Sequence, residues 1–385
     1  MMKLASALPF VSALVTACGG SQSAPAGSGG AGQTGGSIGE GGAGVGGSGS
    51  GGTDRVGAGG AAGAAAGNPA GGSGSGAGGR TSTTATGGVA GQPGSLPEGD
   101  TGIAASYPGD VGIASDPAVI FADDFESYGK AADLGKRWDN MYQNQYLAIA
   151  TAAADVFAGK QALEFTLPQQ TAELSDAVEK KVSPELDVLF LRYYSKFQPP
   201  YDVVGSSHNG SSISAHYQVG GQSTPGIPAD GTNKFLVNLE NWRGESATRS
   251  PGDLNVYVYH PLQRSQWGDH FFPTGLVMPN TSIPFDFGPD FVSRPDLIPE
   301  LDRWYGYELM VKANTPGQKD GRIAAWVDGK LVMDFPNLRL RDVANLTIDQ
   351  FALCFHIGSN PNGVSKKWYD NVVAARAYIG PMRKP

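Results

Sequence analysis

From Gly19 to about Pro108 the chain runs through Gly, Ala, Ser and Thr with almost no aromatic or large aliphatic side chain, and its 57 glycines are concentrated there. Such a segment buries too little apolar surface to offset the entropy of ordering it, so it reads as a flexible tether. Roughly 90 residues of linker of this kind have a root-mean-square reach of about 50 Å. A length of 385 residues would ordinarily suggest two domains, and the tether reduces that to one. Composition changes sharply at Ala118-Val119-Ile120-Phe121, and all six tryptophans lie beyond that point. The sequence therefore divides into a leader over 1–17, a disordered linker over 18–114 and one folded unit over 115–385, ample for a large β-sandwich.

The leader begins Met1-Met2-Lys3, continues through an apolar stretch from Leu4 to Thr16, and is too short to span a bilayer. Its end, Val15-Thr16-Ala17-Cys18, resembles the lipobox of bacterial lipoproteins. The resemblance implies that Cys18 is lipidated and anchors the chain to a membrane, and Gly19 in place of an Asp retention signal implies the outer membrane. A plain secretory leader with a chance cysteine is the alternative. Cys354, inside the apolar run Phe351 to Phe355, reads as a small core residue. The net charge of −8 carries no clustered basic face, which argues against a nucleic-acid partner. It leaves room for an anionic glycan, because Arg192, Lys196, Arg243 and Lys312 are local cations able to line a groove. A monomer is expected.

Beyond residue 115 helical periodicity is scarce, and short β-rich runs alternate with Gly, Pro, Asn and Asp, the pattern of an all-β sandwich. Several runs alternate cleanly enough to name their faces. Over 188–196, Arg192, Tyr194 and Lys196 oppose Leu189, Leu191 and Tyr193. Over 212–218, Ser212, Ser214, His216 and Gln218 oppose Ile213, Ala215 and Tyr217. Over 235–242 the polar side is Asn238, Glu240 and Trp242, and over 254–260 Asn255, Tyr257 and Tyr259 oppose Leu254, Val256 and Val258. A polar, aromatic face repeated on successive strands fits a sugar-binding sheet, and it equally fits the solvent face of outer strands. Later in the chain, strands over 304–312, 322–327 and 330–335 are expected, the last two joined at the hairpin signal Asp328-Gly329. Further strands are expected over 348–357 and 368–378.

Three stretches, Arg303-Trp-Tyr-Gly-Tyr-Glu-Leu-Met-Val-Lys-Ala-Asn-Thr-Pro-Gly317, Gly321-Arg-Ile-Ala-Ala-Trp-Val-Asp-Gly-Lys330 and Leu338-Arg-Leu-Arg-Asp342, are similar to the C-terminal half of family-14 polysaccharide lyases. Tyr257-Val-Tyr259-His-Pro-Leu-Gln263, with Gly268 after it, resembles the Tyr-x-Tyr strand of the same family. Ile120 to Glu126 and Tyr369 to Val373 are compatible opening and closing strands. The resemblance implies a concanavalin A-like jelly-roll β-sandwich and cleavage of alginate or another polyuronate by β-elimination. Where those lyases carry a lysine in Lys-Leu-Pro-Gly, this chain reads Ser206-Ser207-His208-Asn209-Gly210, and where they tend to carry Arg it has His216.

Elimination from a uronate needs neutralisation of the C6 carboxylate, a base for the C5 proton and an acid for the leaving oxygen. Four of the five histidines fall between 208 and 270, alongside Tyr257 and Tyr259. His208 or His216 is the candidate base or neutraliser, Tyr257 and Tyr259 the proton shuttle, and Arg192 and Asn209 the electrostatic support. Glu240, Trp242, His260 and Lys312 complete the candidate substrate contacts. His270 and Trp267 stand in a loop able to wall the groove, and His356 reads as structural. Each also has a bland reading, as surface or packing, and a lectin-like module using the same groove without catalysis is the competing class. Glycoside hydrolysis needs two facing carboxylates, and no Glu-x-Asp-x-Glu strand occurs. No Gly-x-Ser-x-Gly elbow points to a serine nucleophile, and the histidine spacing does not suit zinc. No cofactor is required. Glu126 and Asp370 are candidate ligands for a structural calcium at the sandwich edge, with turn or surface roles as the alternative.

Overall fold

The computed structural model describes residues 94–385 apart from 202, 204–206, 245–247, 280–283, 359, 361 and 385. Cys18, the leader and the linker as far as residue 93 lie outside the described residues. The first half of the described chain carries β1 (Val119–Asp123), β2 (Asn140–Tyr142), β3 (Leu147–Ala150), β4 (Ala162–Leu167), β5 (Ala177–Leu186), β6 (Val188–Phe197) and β7 (Ser207–His208). Next come β8 (Ser211–Ala215), β9 (Gln218–Val219), β10 (Gln222–Ser223), β11 (Phe235–Trp242), β12 (Asp253–Tyr259), β13 (Asp269–Phe271) and β14 (Val277–Met278). The last are β15 (Tyr305–Lys312), β16 (Gly321–Val327), β17 (Lys330–Leu338), β18 (Ile348–Cys354), β19 (His356–Ile357) and β20 (Ser365–Ala375).

Sixteen of these strands build two eight-stranded antiparallel sheets, and β9 with β10 and β7 with β19 form two-stranded pairs, so the protein is an all-β jelly-roll sandwich. The first sheet runs β17-β16-β15-β6-β20-β4-β3, with β1 also paired to β20, and the second runs β14-β13-β12-β11-β8-β18-β5-β2. The period-2 pattern decides which side of each strand faces inward. Leu189, Leu191 and Tyr193 of β6 and Leu309 and Val311 of β15 meet Ile213 of β8, Val237 and Leu239 of β11, Val256 and Val258 of β12 and Phe351 and Leu353 of β18 in one core. Each large aliphatic or aromatic side chain buried there contributes about 1.5–3 kcal/mol. The β16–β17 hairpin turns at Asp328 (φ 50°) and Gly329 (φ 78°), two successive left-handed residues that match the twist of the flanking strands.

The folded unit begins before residue 115. Short 3-10 turns at Ile103–Ser106, Pro108–Asp110 and Ile113–Ser115 lie over the outer side of the first sheet. Ala104 and Ile113 there join Phe190, Met310, Ala324, Trp326, Val373, Tyr378 and Ile379 in a second apolar cluster. Trp326 Nε1 donates to the Pro97 carbonyl at 2.8 Å, and Arg192 pairs with Asp110. The composition of 94–114 conceals this, because its few apolar residues are spread among Gly, Ala and Pro and bury only against a ready-made sheet.

Candidate active site

On the second sheet, alternation turns a polar row away from the core. Ser212 lies beside Asn238, Asn238 beside Tyr257 and Tyr257 beside His270, and the row continues from Ser212 through Ala352 to Glu179. One step along, Glu240 faces Asn255 and Leu236 faces Tyr259.

Glu240 is the hub. It is 1% exposed; its Oε2 stands 2.5 Å from His208 Nδ1 and its Oε1 3.3 Å from His270 Nδ1. His270 Nδ1 also lies 3.0 Å from Asn255 Oδ1. With a proton on each Nδ1, His208 donates to Glu240 and His270 to Asn255 Oδ1, with Glu240 Oε1 close beside the His270 ring, and the basic nitrogen of each becomes Nε2. Burial pushes the Glu240 carboxyl up to about 7, against the pull of His270. Tyr257 bridges the two histidines, its ring 4.6 Å from His208 and 4.9 Å from His270, and Tyr259 stands edge-on to it at 5.6 Å. Trp242 stacks on His270 at 4.5 Å and 17°. Burial raises both phenols above the usual tyrosine range, so they hold their protons at neutral pH.

Local sequence explains these positions. Gly210 lets β8 approach β11, since a Cβ there would fall on the Leu239 carbonyl. Asn209 fastens the same bend: its Oδ1 accepts from Asn241 N at 2.9 Å, and its Nδ2 donates to the Asn241 carbonyl and the Tyr201 hydroxyl. Gly268 N donates to Tyr257 Oη at 2.9 Å, and Gly226 N donates to Tyr259 Oη at 3.1 Å. Asn238, 2% exposed between Ser212 and Tyr257, makes no hydrogen bond through either atom of its amide.

His208, Tyr257, Tyr259, Glu240 and Trp242 thus come together. The other sequence-derived candidates do not. His216 follows the end of β8 at φ 47°, which breaks the alternation that would have aimed it along the row. Its Nε2 lies 3.2 Å from Glu185 at a half-exposed position. Arg192 belongs to the first sheet, buried against Asp110 and the Gly380 and Asn371 carbonyls beneath the N-terminal cover. Lys312, at the end of β15 on the same sheet, is half-buried with Asp320 at 4.0 Å. His260 falls on the core side, 2.9 Å from Asp269 and edge-on to Phe271 and Phe285. Asn209 serves as the backbone clamp rather than as electrostatic support. Glu126 and Asp370 do meet at one loop, but their oxygens already accept backbone N–H groups. Lys160 N and Gln161 N donate to Glu126 Oε1, and Phe157 N and Ala158 N donate to Asp370 Oδ2.

Sequence reasoning gave His270 only a place in a loop, although its pairing with Tyr257 puts it at the centre. His356 is buried with its ring 5.2 Å from His208, and burial together with His208 holds its pKa well below the usual value. Lys234 was missed altogether. Alternation from Leu236 places it on the polar face, where its Nζ lies 4.5 Å from the Tyr259 ring centre and 4.7 Å from that of Tyr217 and donates to Thr224. Burial pushes its pKa down to about 7. Cys354 sits buried against Ala177 and Ala352.

Fold and site together define a jelly-roll sandwich in which a carboxylate lies between two imidazoles and beside two phenols on the side of one sheet turned from the core, with His208, Tyr257 and Tyr259 buried there. No family model matches the sequence, and comparison with curated proteins finds no match. Among solved structures the chain is similar to the alginate lyase Aly36B, with a TM-score of 0.48 and 19% identity over 69% of this chain and 98% of that one. It is also similar to the marine PL-14 alginate lyase from Aplysia kurodai, with a TM-score of 0.47 and 13% identity over 67% and 99% of the two chains. The endo-beta-1,4-glucuronan lyase from the fungus Trichoderma reesei gives 0.39 and 15% over 67% and 96%. These are likenesses of fold, and the chemistry has to be argued from this chain's own residues.

Proposed function

We propose that the protein is a polysaccharide lyase that cleaves an acidic polysaccharide, alginate or another polyuronate, by β-elimination at the outer face of the second sheet. One observation carries the reading: Glu240 bridges His208 and His270 directly beside the Tyr257 phenol. In the reaction an imidazole Nε2 takes the C5 proton, the released electron pair forms the C4–C5 double bond, and the C4–O bond breaks. The Tyr257 phenol gives its proton to the leaving oxygen and is reprotonated by the imidazolium, which restores both groups. Glu240 fixes the tautomer of His208, Asn255 that of His270, and the carboxylate between the rings stabilises whichever becomes imidazolium.

The test is incubation with alginate, glucuronan and other polyuronates while following the ultraviolet absorbance of the conjugated unsaturated uronate. Absorbance that grows with the native protein and is lost in Glu240→Gln supports the reading, and its absence with every polyuronate overturns it. A lectin-like module is the second reading. It is favoured by one feature, that both tyrosine hydroxyls already accept backbone N–H groups; it predicts glycan retention without any rise in absorbance. We further infer from the sequence that lipidated Cys18 holds the domain at the outer membrane, which predicts palmitate incorporation that is lost in Cys18→Ser.

A further inference from the structure

The phenols of the candidate site are covered. Tyr257 and Tyr259 are 3% and 0% exposed, so a polymer cannot touch them while every surrounding segment stays in place. One part of the cover is fixed to the sheet: Gly268, whose N–H donates to Tyr257 Oη, lies so close to β12 that a Cβ there would overlap the Val258 carbonyl. The other part is residues 219–227, whose Gly226 N–H donates to Tyr259 Oη at 3.1 Å and whose Gly226 backbone lies against the Trp267 ring.

This second part is lightly held. β9 and β10 pair only with each other, outside both large sheets, two residues against two around Gly220 (φ 61°) and Gly221 (φ 80°). A ribbon this short is marginal by itself. It buries little apolar surface, since Val219 and Ile227 are exposed. Its ends are pinned, by Gln218 Nε2 donating to Glu179 Oε2 at 2.8 Å on one side, and on the other by Asn233 Nδ2 donating to the Pro228 carbonyl at 2.9 Å and Ala229 N donating to Gln263 Oε1 at 3.3 Å. Between the pins, two residues of the sheet hold it by hydrogen bonds among the described residues. Tyr259 is one, and the buried Lys234 is the other.

Lys234 Nζ donates to the Thr224 carbonyl and, at 2.9 Å, to the Thr224 hydroxyl, while its stem lies between the rings of Tyr217 and Tyr259. Thr224 in turn closes the ribbon on itself, its N and Oγ1 donating to the Tyr217 carbonyl. A pull on this one residue therefore holds the whole ribbon down.

We propose that residues 219–227 are a lid that shuts over Tyr259 and lifts to admit the polysaccharide, with Lys234 as its latch. The inference rests on the glycan site assigned above. Lifting the lid also releases the Tyr259 hydroxyl from the Gly226 N–H.

Amide hydrogen exchange by NMR on the full chain labelled with nitrogen-15 glycine tests the motion without any glycan, because Gly226 and Gly268 make the same kind of bond to neighbouring phenols. Gly226 is expected to exchange at least about tenfold faster than Gly268. Lys234→Met keeps the apolar stem, removes the latch, and raises the Gly226 rate about tenfold further while Gly268 is unchanged. Gly226→Ala works from the other side, straining the shut position through its left-handed φ of 69° and a Cβ 3.1 Å from the Trp267 ring. Because less free energy is then spent on opening, Gly226→Ala binds a tetrasaccharide of alginate or glucuronan up to about tenfold more tightly than the native protein, read by calorimetry. The inference is overturned by equal exchange of Gly226 and Gly268 in the native protein, by a Gly226 rate that Lys234→Met leaves unchanged, or by tetrasaccharide affinity that Gly226→Ala leaves unchanged or weakens. Fast Gly226 exchange with no tetrasaccharide bound by either protein overturns the glycan site itself, which separates that failure from failure of the lid.

Discussion

Replacing Asp110 by alanine leaves a buried guanidinium without the carboxylate it faces. Arg192 is 1% exposed, and the pair joins the N-terminal cover to β6. What remains after the change is the Asn371 carbonyl at 3.1 Å, the Gly380 carbonyl at 3.4 Å, the face of Tyr194 at 5.3 Å and the buried Glu308 opposite it on β15. Breaking a buried pair from one side costs about 3–5 kcal/mol, and the surviving acceptors put this case near ~3 kcal/mol. For a domain of this size each kcal/mol moves Tm by about 2–4 °C, so Asp110→Ala is expected to melt ~6–12 °C below the native protein. Adding Arg192→Met removes the stranded charge and returns the double variant to within ~1 kcal/mol of native, because an apolar pair of similar volume replaces the ion pair at little cost. Thermal unfolding followed by circular dichroism measures both, and Trp326 fluorescence reports on the cover through its bond to Pro97. A loss below ~1 kcal/mol for Asp110→Ala, the behaviour of an exposed ion pair, would refute the claim that residues 94–114 belong to the folded unit.

Two further outcomes follow from the same geometry. Tyr257→Phe removes the proposed acid and is expected to lower turnover of a cleaved polyuronate by ~10²–10⁴, whereas His216→Ala, beside Glu185 and off the row, leaves it unchanged; equal losses would contradict the assignment. Burial raises the Asp370 carboxyl from 3.8 to about 8. Between those values the folded state keeps a proton that the unfolded state has released, so stability falls as pH rises from about 4 to about 8. Asp370→Asn is neutral throughout and flattens that fall; urea unfolding across the window checks it, and an equally steep decline in the variant is the contrary result.

The strands were legible because their pattern is local. Leu189, Leu191 and Tyr193 alternate with Arg192 and Tyr194 in sequence, and the sheet follows that alternation. Which sheet a strand joins is not local, and this is why Arg192 was expected in the groove and lies on the other sheet. His216 shows a second limit: it continues the alternation of Ser212 and Ser214, but the strand ends at Ala215 and the backbone turns left-handed. Glu240, Tyr257 and Tyr259 fall close together because β11 and β12 are adjacent in both sequence and sheet. His270 is the middle residue of the three-residue β13 and Lys234 immediately precedes β11, places where alternation is too short to read, and only the pairing of β13 with β12 and the packing on Tyr259 reveal them. The cover over 94–114 was illegible for a different reason, since its stability comes wholly from the surface it meets.

The central claim is that a glycan lies across Glu240 and its two imidazoles. Nitrogen-15 NMR of the histidine side chains during titration with a short oligouronate tests it most directly. The signals of His208 and His270 are expected to move together on binding while that of His216 stays fixed, and Glu240→Gln to abolish the coupled response. Binding that leaves both imidazoles unmoved would place the glycan elsewhere on the protein.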